Sequence, residues 1–297
     1  MSIDPKHICN AEKARALYLD NLKPGEASAD WGFANFSARK LIVKALIASD
    51  RLRNVEAALL KSGVHTVVFR QMLAPPMSQD QFKLVCGVWS KSSESANKPL
   101  TKALAAIVAT AISQRFDKGL VALARGDRRD IAALLRVISA LMAVQKMATS
   151  RRSRLAFDQE YAVVKLLEQN GWTKLPSKLI DTRAEVPAKF FMRKTRFATA
   201  TTAHQEVDIA CGLKHSYVLA MECKVTNDET NSVKRVNDVL KKATAWKAHW
   251  GSFVITAALL QGVIAAKDVQ RLDDAGVQVF WSHNLDEFRI WLANQIA

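Results

Sequence analysis

The sequence has few of the features that mark several common protein classes. It contains four scattered cysteines among 297 residues, and no Cys-x-x-Cys pair or histidine at zinc-binding spacing accompanies them. They are therefore interpreted as small apolar residues in a reducing compartment. The sequence also has no glycine-rich phosphate-binding loop, which leaves the nucleotide-binding classes without support. Cys211 and His215 have no convincing partners for nucleophilic catalysis.

Long apolar runs are equally scarce. The most apolar windows, residues 103–112 and 140–144, are far shorter than the roughly 20 residues that a bilayer-spanning helix needs. The first 19 residues carry charges throughout and have no apolar core, so no secretory signal is recognised. We therefore expect a cytoplasmic protein without a membrane partner.

Positive charge, in contrast, is abundant. Lys and Arg number 43 against 28 Asp and Glu, which gives a formal net charge of +15. A surplus of this size indicates an anionic partner, nucleic acid first and an anionic membrane second. A generally basic surface that keeps the protein soluble would account for the same surplus, so charge alone does not decide the function.

The pattern of apolar residues predicts two domains. Residues 1–150 contain runs with apolar residues three and four apart, which predict an all-α domain. Residues 151–297 begin with one more helix and continue with a meander of short β-type runs, and helices separate only the later runs, which predicts an α/β domain with a mixed sheet flanked by helices. The predicted strands are residues 189–193, 206–211, 216–225, 252–257 and 277–282.

Two of these strands carry an unusual set of charges. Because side chains alternate along a strand, Glu222 and Lys224 share one face, roughly 7 Å apart, opposite the apolar face of their strand. Asp208 lies on the preceding strand. A turn centred on Lys214 would place Asp208 opposite Ala220 and diagonal to Glu222, within reach of a common ion.

Two carboxylates and an ammonium on one patch are unfavourable without a ligand, because facing carboxylates repel and raise each other's pKa. A divalent cation removes that cost, and oxygen ligands of this kind suit Mg²⁺. Lys224 would then orient or deprotonate a water molecule or stabilise developing phosphate charge. The pattern indicates phosphodiester hydrolysis, although a surface of mixed charges is the simpler alternative.

Asp208, Glu222 and Lys224 match, in order and spacing, the core motif of the PD-(D/E)-x-K nucleases, and the sequence resembles that family over about residues 155–285. Glu160 followed by Leu166-Leu167 and Gly171-Trp172 resembles the helix before the strands in many members. Val207 stands where the family has its nominal proline. The resemblance implies a restriction-endonuclease-like core and Mg²⁺-dependent DNA cleavage, with Asp208 and Glu222 as metal ligands.

The role of the helix acid is open between two residues and a structural alternative. Glu160 is the first candidate for the metal site, Glu168 on the same helix is able to exchange roles with it, and either acid is equally consistent with a solvated helix surface. Glu206 shares the face of Asp208 and ranks below these acids.

The segment that follows the catalytic lysine is rich in Asn and Thr and continues into Ser-Val-Lys-Arg, which most resembles type II restriction endonucleases of the XamI-like kind. That resemblance implies double-stranded DNA as substrate and a homodimer. Basic side chains near the strands and at a helix N-terminus are suited to phosphate contact. The candidate DNA-binding residues are Arg193, Lys194, Arg196, Asn227, Asn231, Lys234 and Arg235.

The sequence therefore predicts a Mg²⁺-dependent endodeoxyribonuclease with Asp208, Glu222, Lys224 and Glu160 as catalytic residues, most specifically a sequence-specific type II restriction enzyme. A repair or junction-resolving nuclease of the same superfamily, which would cut by DNA shape, is one alternative. A DNA-binding protein without catalysis is the other.

Overall fold

The chain divides into two compact units in a computed structural model that describes residues 3–22, 24–95, 98–200 and 203–296. One unit combines Met1–Lys23 with Arg151–Ala297, and the other is Pro24–Ser150. The helices are α1 (Pro5–Asp20), α2 (Pro24–Ala48), α3 (Val55–Lys61), α4 (His65–Gln71), α5 (Gln79–Val85), α6 (Ser92–Ser95), α7 (Lys102–Ser113), α8 (Lys118–Arg125), α9 (Arg128–Gln169), α10 (Glu229–Trp250), α11 (Ala266–Asp274) and α12 (Leu285–Ile296).

The unit Pro24–Ser150 is built from helices around its own apolar core. Residues 39–63, in which apolar residues recur three and four apart, are divided between α2 and α3, because Asp50, Arg51 and Leu52 adopt positive φ angles that a right-handed helix does not accommodate. Helix α3 then begins after Asn54, whose side chain accepts a hydrogen bond from Ala57 N at 2.9 Å. The largest fully buried side chains of this core include Ile42, Leu59, Phe69, Met72, Leu73, Phe82 and Trp89.

The other unit contains a mixed sheet, as predicted. The order is β1-β3-β4-β5-β6-β7, with β2 also paired to β3. Strands β3, β4 and β5 are antiparallel neighbours, whereas β5, β6 and β7 run parallel. The strands are β1 (Thr173–Lys174), β2 (Leu179–Ile180), β3 (Phe190–Phe197), β4 (Gln205–Gly212), β5 (Val218–Thr226), β6 (Val254–Gly262) and β7 (Gln278–Trp281).

Helices cover both faces of this sheet. The C-terminal part of α9 and helix α12 bury Leu167 and Phe288 against Ile209 and Leu219 on one face. Helices α10 and α11 bury residues such as Trp246 on the other. Burying each large side chain contributes about 1.5–3 kcal/mol, and the two layers hold the central strands β4 and β5 in a fixed register.

The first helix differs from the predicted division at residue 150, because α1 belongs to the unit that contains the sheet. The Asp4 backbone nitrogen donates to Gln270 at 2.9 Å, and His283 pairs with Asn10 at 3.2 Å. These contacts join residues about 270 positions apart, so local sequence patterns carry no sign of them.

Helix α9 is continuous across residue 150, where the predicted all-α domain ends, since its 42 residues contain neither glycine nor proline. Within the described part of the chain, it is the helix that is long and apolar enough to cross a membrane, with a mean hydropathy of 1.6 over its most apolar window. A core helix of a soluble protein meets the same criterion, so the expectation of no membrane partner stays a prediction.

Candidate active site

The register of β4 and β5 places Asp208 closer to Glu222 than the sequence predicted. Ile209 pairs with Met221 and Ala210 pairs with Ala220, so the next step brings Asp208 level with Glu222. The predicted pairing of Asp208 with Ala220 was therefore wrong by two residues. The turn is centred on His215, which has a φ of 53°, one residue later than assumed. A whole-residue shift of the turn moves the partner by two positions, which preserves the face.

Asp208 occupies an interruption in the hydrogen-bonded ladder. Pairing of β3 with β4 passes from Arg193–Ile209 to Thr195–Val207, and Lys194 between them has a φ of 52°. The Asp208 Oδ2 atom accepts a hydrogen bond from the Cys223 backbone nitrogen at 2.8 Å. Its carboxylate therefore lies against the amide that stands between Glu222 and Lys224.

Glu222 is fully buried and receives two ammonium groups on one oxygen. Lys224 Nζ lies 2.6 Å and Lys242 Nζ 2.8 Å from Glu222 Oε2. The other oxygen, Oε1, has no hydrogen-bond partner among the residues that the structure describes. Burial raises the pKa of Glu222 and Asp208 adds to the increase, whereas Lys224 and Lys242 act against it.

Lys224 is held between a strand and a helix. Its Nζ atom donates to Glu222 and, at 2.8 Å, to Asp238 Oδ2 on α10. Burial acts to lower the pKa of Lys224, but the two carboxylates outweigh it and raise the pKa above its ordinary value. Lys224 is therefore a charged ammonium at neutral pH, oriented by two carboxylates.

Glu160 joins the same group of charges from α9 and is buried, whereas its predicted alternative Glu168 is exposed. Its Oε1 atom lies 2.6 Å from Lys194 Nζ, which also contacts Asp208 Oδ1 at 2.5 Å. Its Oε2 atom accepts from Arg193 at 3.0 Å. In the resulting network, Lys194 joins Glu160 to Asp208, Lys224 is bonded to Glu222, and the backbone amide of Cys223 links the two pairs.

The predicted DNA-binding residues fall into two groups. Arg193, Lys194 and Asn231 make intramolecular contacts: Arg193 also lies over the Phe157 ring, and Asn231 bonds Asp228 at the N-terminus of α10. In the second group, Arg196, Lys234 and Arg235 are exposed, and Asn227 is partly buried. The three exposed cations of the second group are accessible to DNA phosphates. Their contact with DNA stays a prediction.

Two residues of this network were not predicted as part of it. Asp238 and Lys242 lie one turn apart on α10 and reach Lys224 and Glu222 from the helix side. Neither residue was a candidate in the sequence analysis, because charged residues beside the buried stripe of an amphipathic helix usually face solvent. The i, i+4 spacing of an acid and a lysine next to a buried stripe was the available signal, but it is equally typical of an exposed helix pair.

The donor set is consistent with a magnesium site of the open kind. No group of three or more His, Cys, Asp or Glu residues arranged to hold a metal occurs within the described ranges. Mg²⁺, however, is commonly held by one or two carboxylates, with water and substrate phosphate completing its shell. Asp208 and Glu222, whose Oε1 atom is unpartnered, would provide such a pair.

Comparison with known proteins identifies the family. The model of the XamI restriction endonuclease family matches residues 50–281. The type II restriction enzyme XamI of Xanthomonas campestris pv. amaranthicola is 30% identical over 192 residues, which cover 62% of this chain and 66% of that enzyme. A crystal structure of protein VC1899 from Vibrio cholerae aligns with 89% of this chain and 57% of its own at 10% identity and a TM-score of 0.33, which is too low a similarity to indicate a common fold. Because the family match extends over more than half of the sequence, the chain belongs to the XamI restriction endonuclease family.

Proposed function

We propose that this protein is a type II restriction endonuclease that hydrolyses phosphodiester bonds in double-stranded DNA at a specific sequence and requires Mg²⁺. The family match and the 30% identical restriction enzyme support the reaction class. The observation that carries the assignment to named residues is the hydrogen bond from the Cys223 amide to Asp208. This hydrogen bond joins Asp208 on β4 to the β5 backbone between Glu222 and Lys224.

In the proposed mechanism, Asp208 and Glu222 would hold the ion, which would supply neutralisation of phosphate charge and activation of water. Lys224 orients the attacking water or stabilises the extra negative charge that develops on phosphorus. The water oxygen forms a bond to phosphorus and gives up a proton, one phosphorus–oxygen ester bond breaks, and the leaving oxygen takes up a proton, so that one water molecule is divided between the two products. Asp238 holds the Lys224 ammonium from α10.

Glu160 is proposed as a further acid of the metal site, beside the two ligands Asp208 and Glu222. Its contact with Lys194, shared with Asp208, supports that role. The unit that contains the sheet is proposed to have the restriction-endonuclease-like core, in which the acid-bearing helix precedes the antiparallel strands. The chain order of α9, β3, β4 and β5 is consistent with that arrangement. The proposed location of the enzyme is the cytoplasm.

The substrate is proposed to be read by a homodimer acting on a palindromic site, with the unit Pro24–Ser150 serving in target recognition or dimerisation. The net charge of +15 supports an extended phosphate-contacting surface. Sedimentation of the purified protein with and without its DNA site distinguishes a dimer from a monomer.

Incubation of the purified protein with a sequenced plasmid and Mg²⁺ tests the proposed activity. Discrete fragments that end at one common sequence are expected, and chelation of the metal should abolish them. Cutting of four-way junctions without cutting of linear duplex would show the junction-resolving alternative instead. Retarded migration of uncut DNA at every divalent ion tried would leave only the non-catalytic alternative.

A further inference from the structure

The ammonium of Lys194 stands between two carboxylates that belong to different layers of the fold. Its Nζ atom lies 2.6 Å from Glu160 Oε1 on α9 and 2.5 Å from Asp208 Oδ1 on β4. The two carboxylate oxygens are therefore no further apart than the sum of these distances. Two such charges repel unless a cation lies between them, and here the chain itself provides that cation.

Lys194 reaches this position through a local departure from regular strand geometry. Its φ of 52° places it in the left-handed region, which is unfavourable for a residue with a side chain. The interruption falls at the point where β3 faces Asp208. A conformation of this kind persists only where the surrounding contacts stabilise it, and the two ion pairs are such contacts.

The lysine is far more accessible than the acids it joins. Its side chain is 56% exposed, against 5% for Glu160 and 15% for Asp208. The ammonium is thus able to leave toward solvent without unpacking the core, while Arg193 remains on the other oxygen of Glu160. The acids, in contrast, are fixed by α9 and by the amide of Cys223.

We propose that Lys194 is a built-in competitor of the divalent ion, because its ammonium neutralises Glu160 and Asp208 in the metal-free protein and must move for the ion to bind. This inference rests on the proposed function, since it concerns the same metal site. The ammonium stabilises the metal-free fold and raises the divalent concentration that the site requires. Apparent affinity falls in proportion to the fraction of molecules in which the acids are free.

Titration calorimetry with Mg²⁺ and with Ca²⁺, in the absence of DNA, tests this competition directly. Lys194→Met removes the ammonium and retains an unbranched side chain. It should bind the ion at least about tenfold more tightly than the unaltered protein if the ammonium occupies the site nine times in ten or more. The metal-free variant should also unfold at a lower temperature, and the ion should raise its unfolding midpoint by a larger amount.

Lys189→Met is the matched control, because Lys189 is an exposed lysine one residue before β3 and also has a positive φ, of 66°. It should bind the ion as the unaltered protein does. Lys194→Gln provides a second test should the methionine variant not fold.

Ion binding by these variants distinguishes failure of the proposed metal site from failure of the proposed competition by Lys194. Equal or weaker ion binding by folded Lys194 variants overturns the competition while leaving the metal site in place. Absence of binding by every variant and by the unaltered protein overturns both the metal site and the competition.

Discussion

Lys224 Nζ and Asp238 Oδ2 lie 2.8 Å apart and connect the proposed catalytic strand to α10. Replacing Asp238 by Asn removes the charge and keeps a hydrogen-bond acceptor. We expect kcat for DNA cleavage to fall about 10–100-fold, the usual cost of losing a residue that orients a metal-site group. KM should change little, because Asp238 contacts the lysine and is not proposed to contact DNA. Steady-state cleavage of a short duplex containing the site measures both constants.

Glu229→Gln is the control for this experiment. Glu229 is exposed in the first turn of α10, so the change removes the same charge from the same helix. Equal rates for the Asp238 and Glu229 variants would show that Asp238 does not position Lys224.

The pH dependence of cleavage should depend on Lys242. Burial is the largest influence on Glu222 and raises its pKa, while the ammonium groups of Lys224 and Lys242 lower it. Lys242→Met should raise the pKa of Glu222 further, so that the carboxylate is lost at a higher pH as the solution is acidified. The acid limb of the rate profile should therefore move to higher pH. Lys241→Met, at the exposed neighbouring position, should leave the profile unchanged, and an equal shift in both variants would contradict this assignment.

A glycine fixes the end of the proposed catalytic strand. Gly262 has a φ of 95°, and a Cβ atom there would lie 2.0 Å from the Thr226 carbonyl oxygen, two residues beyond Lys224. Gly262→Ala should lower the free energy of unfolding by more than the 1–3 kcal/mol or so typical of a strained backbone position, and it should slow cleavage. Denaturant unfolding and initial cleavage rates measure the two effects.

Gly171→Ala is the matched control, since Gly171 also has a positive φ, of 76°, but nothing lies within 4 Å of the added Cβ. Its free energy of unfolding should fall only by the cost of the positive φ angle, and its cleavage rate should be unchanged. A Gly262 variant no less stable than the Gly171 variant would show that the contact with Thr226 is unimportant.

Replacing an exposed cation should change the salt dependence of DNA binding more than replacing a cation that is already ion-paired within the protein. Lys234 and Arg235 are exposed near the N-terminus of α10, whereas Arg193 is held by Glu160. Each lost phosphate contact should reduce the slope of log affinity against log salt by about 0.9. Lys234→Gln and Arg235→Gln should each show this reduction in a salt titration of binding, and Arg193→Gln should show less. A larger reduction for Arg193→Gln would reverse the assignment.

The mixed sheet and the strands β3 to β7 were predictable because each is a short β-type run, whereas the two-residue strands β1 and β2 were not predicted. The exact pairing was not predictable. It depends on whether Lys214 or His215 occupies the centre of the turn, and both positions are compatible with the same alternation of faces. The one-residue difference decides whether Asp208 lies diagonal to Glu222 or level with it.

The charges of the site were predictable from β4 and β5, but their partners were not. Asp208, Glu222 and Lys224 stand out because they interrupt apolar runs. Asp238, Lys242 and Lys194 do not stand out, because acids and lysines are common on exposed surfaces. Their roles depend on the packing of α10 and α9 against the sheet, which brings together residues well separated in the chain, such as Glu160 and Lys194, 34 positions apart.

The proposed nuclease activity requires Asp208 in catalysis, and the single-turnover cleavage rate of Asp208→Asn at saturating Mg²⁺ tests this most directly. The amide oxygen of Asn still accepts the hydrogen bond from Cys223, so the fold should be retained. Glu206→Gln makes the same change of charge on the same strand. We predict that Asp208→Asn cleaves at least about 100-fold more slowly than the unaltered protein, while Glu206→Gln cleaves at the unaltered rate. Equal cleavage by the two variants would contradict the account.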